Sequence, residues 1–379
     1  MPENPEPLGE CIRARIQKSG AIRFSSFMRL CLYEPELGYY ASGTAALGRR
    51  GDFFTSVSTG PLFGRLLADG FATIWESMGR PSSWQLVEQG GHNGQLCRDI
   101  LDTLTQRHPE AFSACTYILI EPLPGLRRKQ EKAIEPYAAD GKIVWHGGLD
   151  EIPDASLNGV FFSNELIDSF PVDCVCFRGK DWKERLVGWD GDLQRFVWVE
   201  AACNESLQSE IIRWKLPQIE GYVAEIHIEA AEWMRQVART LGQGVVVIID
   251  YGGLAEDLYK PERPQGTLRA YSKHRQFEDV LSLPGAQDLT SNVNFSLLKE
   301  EGEAQGLKTL RYSDQHHFLI ELGRLGFLRE IEKGMKQNPN EPGLGQQLRH
   351  FKTLMHTEMM GSLFKVLIQS KGEARLAEL

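Results

Sequence analysis

The sequence predicts an α/β protein with a Rossmann-like, doubly wound sheet. Two observations carry that prediction. From Trp84 onward, short apolar strands alternate with helices of ten to fifteen residues, the pattern of βαβ units around a parallel sheet. WQLVEQ reads as a strand, TYILIE is mostly β-branched and aromatic, and NGVFFSN and GVVVIIDYGG read as buried strands, GVVVIIDYGG the most buried of the chain. A third observation marks an interruption. VDCVCF, KERLVGW and RFVWVE alternate apolar and polar residues, and the turn WDGDL between the last two carries an Asp-Gly hairpin signal. That pattern is antiparallel and leaves the parallel sheet.

Taken in order, residues 8–32 read as helical and Phe63 to Met78 as an amphipathic helix. The segment between them is rich in Gly and aromatics and reads as an ordered loop. A helix follows each of the first two strands, from Asn93 to His108 and from about Pro124 to Tyr137. After the antiparallel segment, Glu225 to Leu241 returns to helix. Phe295 to Gln305 is a helix, Gly306 to Tyr312 a strand, and SLFKVLIQS a last strand. The Asn, Pro, Gly and Gln of residues 334–347 predict a loop. The expected organisation is an N-terminal helical segment with a loop over the ligand (1–80), a first half of the sheet domain (81–170), an inserted subdomain (171–222) and a second half (223–379).

Composition narrows the function. The chain has 379 residues, 25% charged and 42% apolar, with a net charge of −9. An acidic balance argues against nucleic-acid binding through a broad basic surface and leaves a cationic partner open. Seven cysteines are scattered, with no CxxC pair, and read as buried thiols rather than metal ligands. No metal is expected. No apolar run reaches the ~18 residues of a membrane span. The N-terminus MPENPEPLGE is neither a secretory signal nor an Arg-rich transit peptide. A cytoplasmic protein without membrane insertion is the expectation.

The stretch LVEQGGHNGQL, residues 86–96, is a strand, a glycine turn and a helix start. A dinucleotide fingerprint would need glycine at residues 92 and 95, where His92 and Gln95 stand. No Gly-Lys-Ser/Thr follows, so a P-loop fails too. What remains is Glu88, Gly90 and Gly94. This suits S-adenosylmethionine, which has no pyrophosphate: the turn meets its methionine part, Glu88 attracts its ammonium, and Glu121, ending the next strand, grips the ribose. Another Rossmann-like enzyme stays open on these residues alone.

Several segments together resemble one family. They are FMRLCLYEPELGYY, GRRGDFFTS, the glycine loop with Glu88, IEPLPGLRRKQ, SNELIDSFPV, VAEIHIEAAEWM, VVVIIDYGG, GTLRAYSKH, PGAQDLTSNVNF and HHFLIELG, in order along most of the chain. The resemblance is to the MidA family of class I S-adenosylmethionine-dependent methyltransferases, which includes a mitochondrial complex I assembly factor that methylates an arginine. It implies a seven-stranded sheet with an antiparallel last strand, S-adenosylmethionine as cofactor, and an arginine of a partner protein, such as a respiratory-complex subunit, as acceptor. Small-molecule methylation and a non-catalytic assembly factor are the alternatives. The family loop resembles Glu-x-Gly-Pro-Gly-x-Gly, whereas Gly91 and His92 occupy its Pro and middle Gly positions here. Val57 and Ser58 replace the Pro-Glu that follows the family's Gly-Asp-Phe-x-Thr-Ser.

Candidate cofactor residues are Gly51, Asp52, Phe53 and Thr55 of the N-terminal loop, with Glu88, Gly90, His92, Gly94, Glu121, Pro122 and Asn164. Guanidinium is a poor nucleophile while its charge is delocalised, and it does not deprotonate readily. Carboxylates can orient it, localise its charge and accept its proton later. Asn164, Glu165 and Asp168 follow a buried strand at its carboxyl end, where open α/β sheets bind ligands. Asp250 and Tyr251 end another such strand, and Glu225 sits in a matched segment. These six are the candidate catalytic residues. As ordinary structural residues, the first three would be helix caps and Glu225 an exposed first-turn residue.

Overall fold

The computed structural model describes residues 6–42, 56–57, 60–138, 141–272, 275–277, 279–338, 341–356 and 361–374. Its central sheet comprises β1 (Trp84–Gln89), β2 (Cys115–Ile120), β3 (Ile143–His146), β4 (Leu157–Asn164), β5 (Leu241–Gly253), β6 (Lys308–Asp314) and β7 (Phe364–Lys371). Across the sheet the order is β6-β7-β5-β4-β1-β2-β3. The pairs from β3 to β5 are parallel, and β7 runs antiparallel to both β5 and β6. The order reverses between β1 and β4, which opens a crevice at their carboxyl ends.

The strand sequences explain the layering. Successive side chains point to opposite faces. In β5, Val245, Val247 and Ile249 join one buried cluster, with α3 (Leu62–Ser77), α4 (Gln95–Arg107) and the helix Gln315–Leu325. Val246 and Ile248 join the other, with α6 (Ile228–Thr240) and the helix Phe295–Ala304. A fully apolar strand is what two covered faces require.

A second, antiparallel sheet holds Asp173–Arg178, Asp181–Asp190, Arg195–Ala202 and Val223–Ile226. It also takes Ile22–Arg23 from the N-terminus, paired with Asp181–Asp190. Helices α1 (Glu6–Ser19) and α2 (Phe24–Tyr33) pack on one face of it through Ile12, Phe24, Phe27 and Met28. The N-terminal segment is therefore clamped between the inserted sheet and the central domain.

Three expectations are corrected here. The run 8–32 is two helices, parted by Gly20 (φ 81°) and the short strand. The antiparallel run continues past residue 222, and Glu225 lies in the strand Val223–Ile226, because pairing with Asp173–Cys176 outweighs helix continuation. Residues 334–347 are not one loop: the helix Phe327–Gln337 enters them, and Pro342 opens the helix Pro342–Met355, a first-turn position that suits proline. Phe327, Ile331, Phe351 and Leu354 are buried there. Among the described residues, no helix is long and apolar enough to cross a membrane.

Two glycines face each other across β4 and β5. Gly244 of β5 faces Gly159 of β4 with φ 141°, and a β-carbon on Gly244 would stand 1.9 Å from the Gly159 carbonyl oxygen. Gly244→Ala is expected to lower the unfolding free energy by about 3 kcal/mol or more. A denaturation midpoint equal to that of the unaltered chain would refute this reading of the contact.

Candidate functional site

A cavity of about 970 Å³ opens at the carboxyl edge of the sheet, between β1 and β4 and under α2. That is at the upper end of the roughly 300–1,000 Å³ range of small-molecule sites, which leaves room for a cofactor and a second group.

One end is built by the glycine turn. Gly90 (φ 87°) and Gly94 (φ 81°) adopt left-handed conformations, and the Gly94 N–H donates to the Gly91 carbonyl at 2.7 Å. Gly90, Gly91 and His92 line the cavity. Gly94 does not: it is buried against Gln130 of α5 (Pro124–Ala133), where a β-carbon would stand 3.0 Å from the Gln130 Cα. Glu88 is buried and accepts a 2.6 Å hydrogen bond from the Tyr117 hydroxyl. Glu121 accepts from the Leu123 N–H and from Gln130 Nε2, each at 2.9 Å. Burial pushes both carboxyl groups up to about 7, against the pull of those hydrogen bonds. Gln130 Nε2 also reaches the His92 carbonyl at 3.2 Å, and so ties the glycine turn to the Glu121 strand end.

His92 has φ 40°, and both of its ring nitrogens are buried without a partner. Burial, then Lys129, depresses its pKa to about 4, so the ring is neutral. A neutral imidazole offers one donor and one acceptor. Asn164 Oδ1 is likewise buried and unpartnered. These orphaned atoms at the cavity wall fit a polar, zwitterionic ligand group.

At the other end, Asn164 closes β4 and Glu165 turns the chain with φ 52°. Asn164 Nδ2 donates to Glu165 Oε1 at 3.1 Å. Burial, then the Asp168 charge, raises the Glu165 carboxyl to about 8. Asp168 and Tyr251 share this wall. A single-turn helix, Ile167–Ser169, follows Glu165.

Asp250 lies behind the wall and has no solvent exposure. Its Oδ2 accepts from the N–H groups of Leu166, Ile167 and Asp168 at 3.2, 2.8 and 3.3 Å, and its Oδ1 from Tyr251 N–H at 2.8 Å. Burial, with Asp168 beside it, raises its pKa. Glu225 is also away from the cavity: it accepts from Thr267 N–H, Thr267 Oγ1 and Leu268 N–H at 2.9, 2.9 and 3.2 Å. It is a buried loop anchor, not the exposed first-turn residue considered above.

The structure thus brings Glu88, Gly90, His92, Glu121, Pro122, Asn164, Glu165, Asp168 and Tyr251 to one cavity, and not Gly94, Asp250 or Glu225. Gly51, Asp52, Phe53 and Thr55 lie outside the described residues, as does Ser58. Sequence reasoning missed Gly148, Leu149 and Asp150, which line the cavity after β3. The strand-end rule that found Glu121 would have found them. It also missed Tyr33, Tyr40, Glu229, Trp233 and Asp288, which lie in the matched segments FMRLCLYEPELGYY, VAEIHIEAAEWM and PGAQDLTSNVNF but at no strand end of the central sheet.

The profile of the family of S-adenosyl-L-methionine-dependent methyltransferases matches residues 66–313. The human protein arginine methyltransferase NDUFAF7, mitochondrial, is 28% identical over 96% of this chain and 83% of its own length. The Drosophila melanogaster homolog of that enzyme is 28% identical over 79% of this chain and 70% of its own. A crystal structure of a COG1565 superfamily member from Burkholderia thailandensis, bound to S-adenosyl-homocysteine, has a TM-score of 0.85 at 30% identity, covering 98% of this chain and 93% of that one. The arginine methyltransferase relatives are named as mitochondrial, which overturns the cytoplasmic placement expected from the N-terminal residues. The chain belongs to this family of S-adenosylmethionine-dependent methyltransferases. Its fold is the class I methyltransferase fold, and its cofactor is S-adenosylmethionine.

Two variants test the site. A β-carbon on Gly90 would meet Leu166 Cδ1 at 3.1 Å from a left-handed backbone. Gly90→Val is expected to weaken S-adenosylhomocysteine at least about tenfold, a loss of roughly 1.4 kcal/mol, by calorimetric titration; unaltered affinity would undo the cofactor placement. Asp250→Ala strands buried N–H donors, each worth about 1–3 kcal/mol. A drop of at least about 3 kcal/mol in unfolding free energy is expected, and a smaller one would mean that the loop holds without it.

Proposed function

As a member of that family, we propose, the chain methylates an arginine guanidinium on a partner protein. The observation that carries this reading is the charge of the cavity wall. Glu34, Glu165, Asp168, Glu229, Glu232 and Asp288 line the cavity, against one guanidinium among the described lining residues, Arg29, itself paired with Glu229. Gathering so many acids around one cavity is unfavourable through their mutual repulsion, and a cationic acceptor offsets it. The names of the relatives, protein arginine methyltransferases, agree. In this reading a respiratory-complex subunit is the candidate partner.

In this reading Glu88, His92 and Asn164 hold the methionine part of the cofactor, and Glu121 its ribose. When bound, S-adenosylmethionine supplies an electrophilic methyl on a sulfonium with a good leaving group. The residues of the chain then have to position the acceptor nitrogen and handle its proton. Glu165 and Asp168 accept hydrogen bonds from the guanidinium, localise its charge away from the attacking nitrogen, and Glu165 takes the proton released after transfer. Asn164 orients Glu165 through its amide donor. Asp250 and Glu225 touch neither partner and act as positioning residues.

A carboxylate that must be ionised, in a group raised to about 8, gives a definite pH signature. kcat/KM is expected to rise with pH and level off above about 8. Glu165→Gln should remove that limb and lower kcat by about 10² or more, with S-adenosylhomocysteine affinity retained. Unchanged turnover would take Glu165 out of the chemistry. The stability sign is the opposite. Between about 4.5 and 8 the folded state binds the Glu165 proton better than the unfolded one, so this group's contribution falls as pH rises across that window. Glu165→Gln should therefore be more stable than the unaltered chain at pH 9, by its thermal midpoint.

A further inference from the structure

The N-terminal segment brings α2 and the turn after it to the cavity, far from the sheet edge that sequence patterns point to. Tyr33 and Tyr40 line the wall there, with ring centroids 5.7 Å apart and planes 23° apart, a stacked pair. Both hydroxyls are tied down. Tyr33 OH reaches the Ser169 carbonyl at 3.0 Å and the Ser169 hydroxyl at 2.8 Å. Tyr40 OH donates to the two carboxylate oxygens of Asp288 at 2.9 and 3.0 Å. Tethered at its outer end, each ring keeps a fixed face, and little side-chain entropy remains to be lost on binding.

Carboxylates dominate the charges around the pair, with Arg29 engaged by Glu229. Asp168 and Asp288 act on Tyr33 and on Tyr40, Glu229 acts on Tyr33, and Asp168 also reaches Tyr251 on the far side. Asp288 stands opposite Tyr271 in the pairing of Arg269–Ser272 with Asp288–Thr290 and lines the cavity. Stacked tyrosine faces beside two buried carboxylates make a site for a flat cation, since an aromatic face attracts a guanidinium and a carboxylate accepts its paired N–H groups.

We propose that Tyr33 and Tyr40, with Asp168 and Asp288, form the acceptor-selecting wall of the enzyme, in which the guanidinium of the incoming arginine stacks on the tyrosine pair and donates to Asp288. The wall fixes the plane of the guanidinium before Glu165 meets the reacting nitrogen. It admits a planar cation and discriminates against an uncharged isostere, which brings no positive charge to the carboxylates. This rests on the guanidinium reading of the acceptor.

The test is calorimetric titration of the full chain, saturated with S-adenosylhomocysteine, using N-acetyl-arginine N-methylamide and its uncharged citrulline counterpart. The arginine probe should bind at least tenfold tighter than the citrulline probe. Asp288→Asn, which keeps the shape of the side chain, should weaken the arginine probe about tenfold and leave the citrulline probe unmoved. Tyr33→Ala should weaken it similarly, and Tyr33→Phe, which restores the ring without the hydroxyl, should recover most of the loss. Retained S-adenosylhomocysteine affinity in each variant reports an intact fold. If the unaltered chain prefers arginine while Asp288→Asn and Tyr33→Ala bind it equally well, the wall is refuted and the guanidinium reading stands. If the unaltered chain does not distinguish the two probes, both fall together.

Discussion

Asp250 sits in the middle of the sheet with no solvent contact, and four backbone N–H groups converge on its carboxylate. Three of them belong to the turn Leu166–Asp168 that follows β4. Through this one side chain β5 dictates the path of the neighbouring strand's exit loop. The left-handed Glu165 is part of the same turn, locked from the other side by its N–H to the Ile249 carbonyl at 2.9 Å. The directions of Asn164, Glu165 and Asp168 into the cavity follow from that lock. A loop held by backbone bonds to a buried acceptor is rigid, which is what a site that works by orientation needs.

The same logic recurs farther out. Glu225 pins the Thr267–Leu268 segment as Asp250 pins its turn, and Gln130 joins the glycine turn to Glu121. Buried polar residues around this cavity hold backbone in place, while the residues facing the cavity keep acceptor capacity for a ligand. The distinction matters chemically. A buried acid that is fully hydrogen-bonded anchors a loop, whereas one with open lone pairs beside other acids, like Glu165, is poised to meet a cation.

The inserted sheet and the N-terminal helices complete the enclosure. Ile22–Arg23 adds a strand to the inserted sheet, and α2 thereby lies across the crevice with Tyr33 and Tyr40 toward it. Arg23 bridges to Glu184 of that sheet at 3.1 Å. A class I sheet alone would leave the carboxyl edge open to solvent. Here the cover lowers the local dielectric, which strengthens the attraction between wall carboxylates and a bound cation.

Read by itself, the sequence determined the alternation of strands and helices, the antiparallel interruption, the glycine turn with Glu88 and Glu121, and the strand-end trio Asn164, Glu165 and Asp168. All of these are local: hydrophobic period, turn chemistry and position at a strand end are written within a few residues. The family resemblance added the cofactor on the same local segments. Tertiary structure alone decided which acids face the cavity. Asp250 and Glu225 looked as eligible as Asp168, but where a buried carboxylate points depends on which distant backbone donors reach it. It also decided that Tyr33, Tyr40 and Asp288 meet, because residues 248 positions apart come together only when a strand pairing far from the site draws the N-terminus across it.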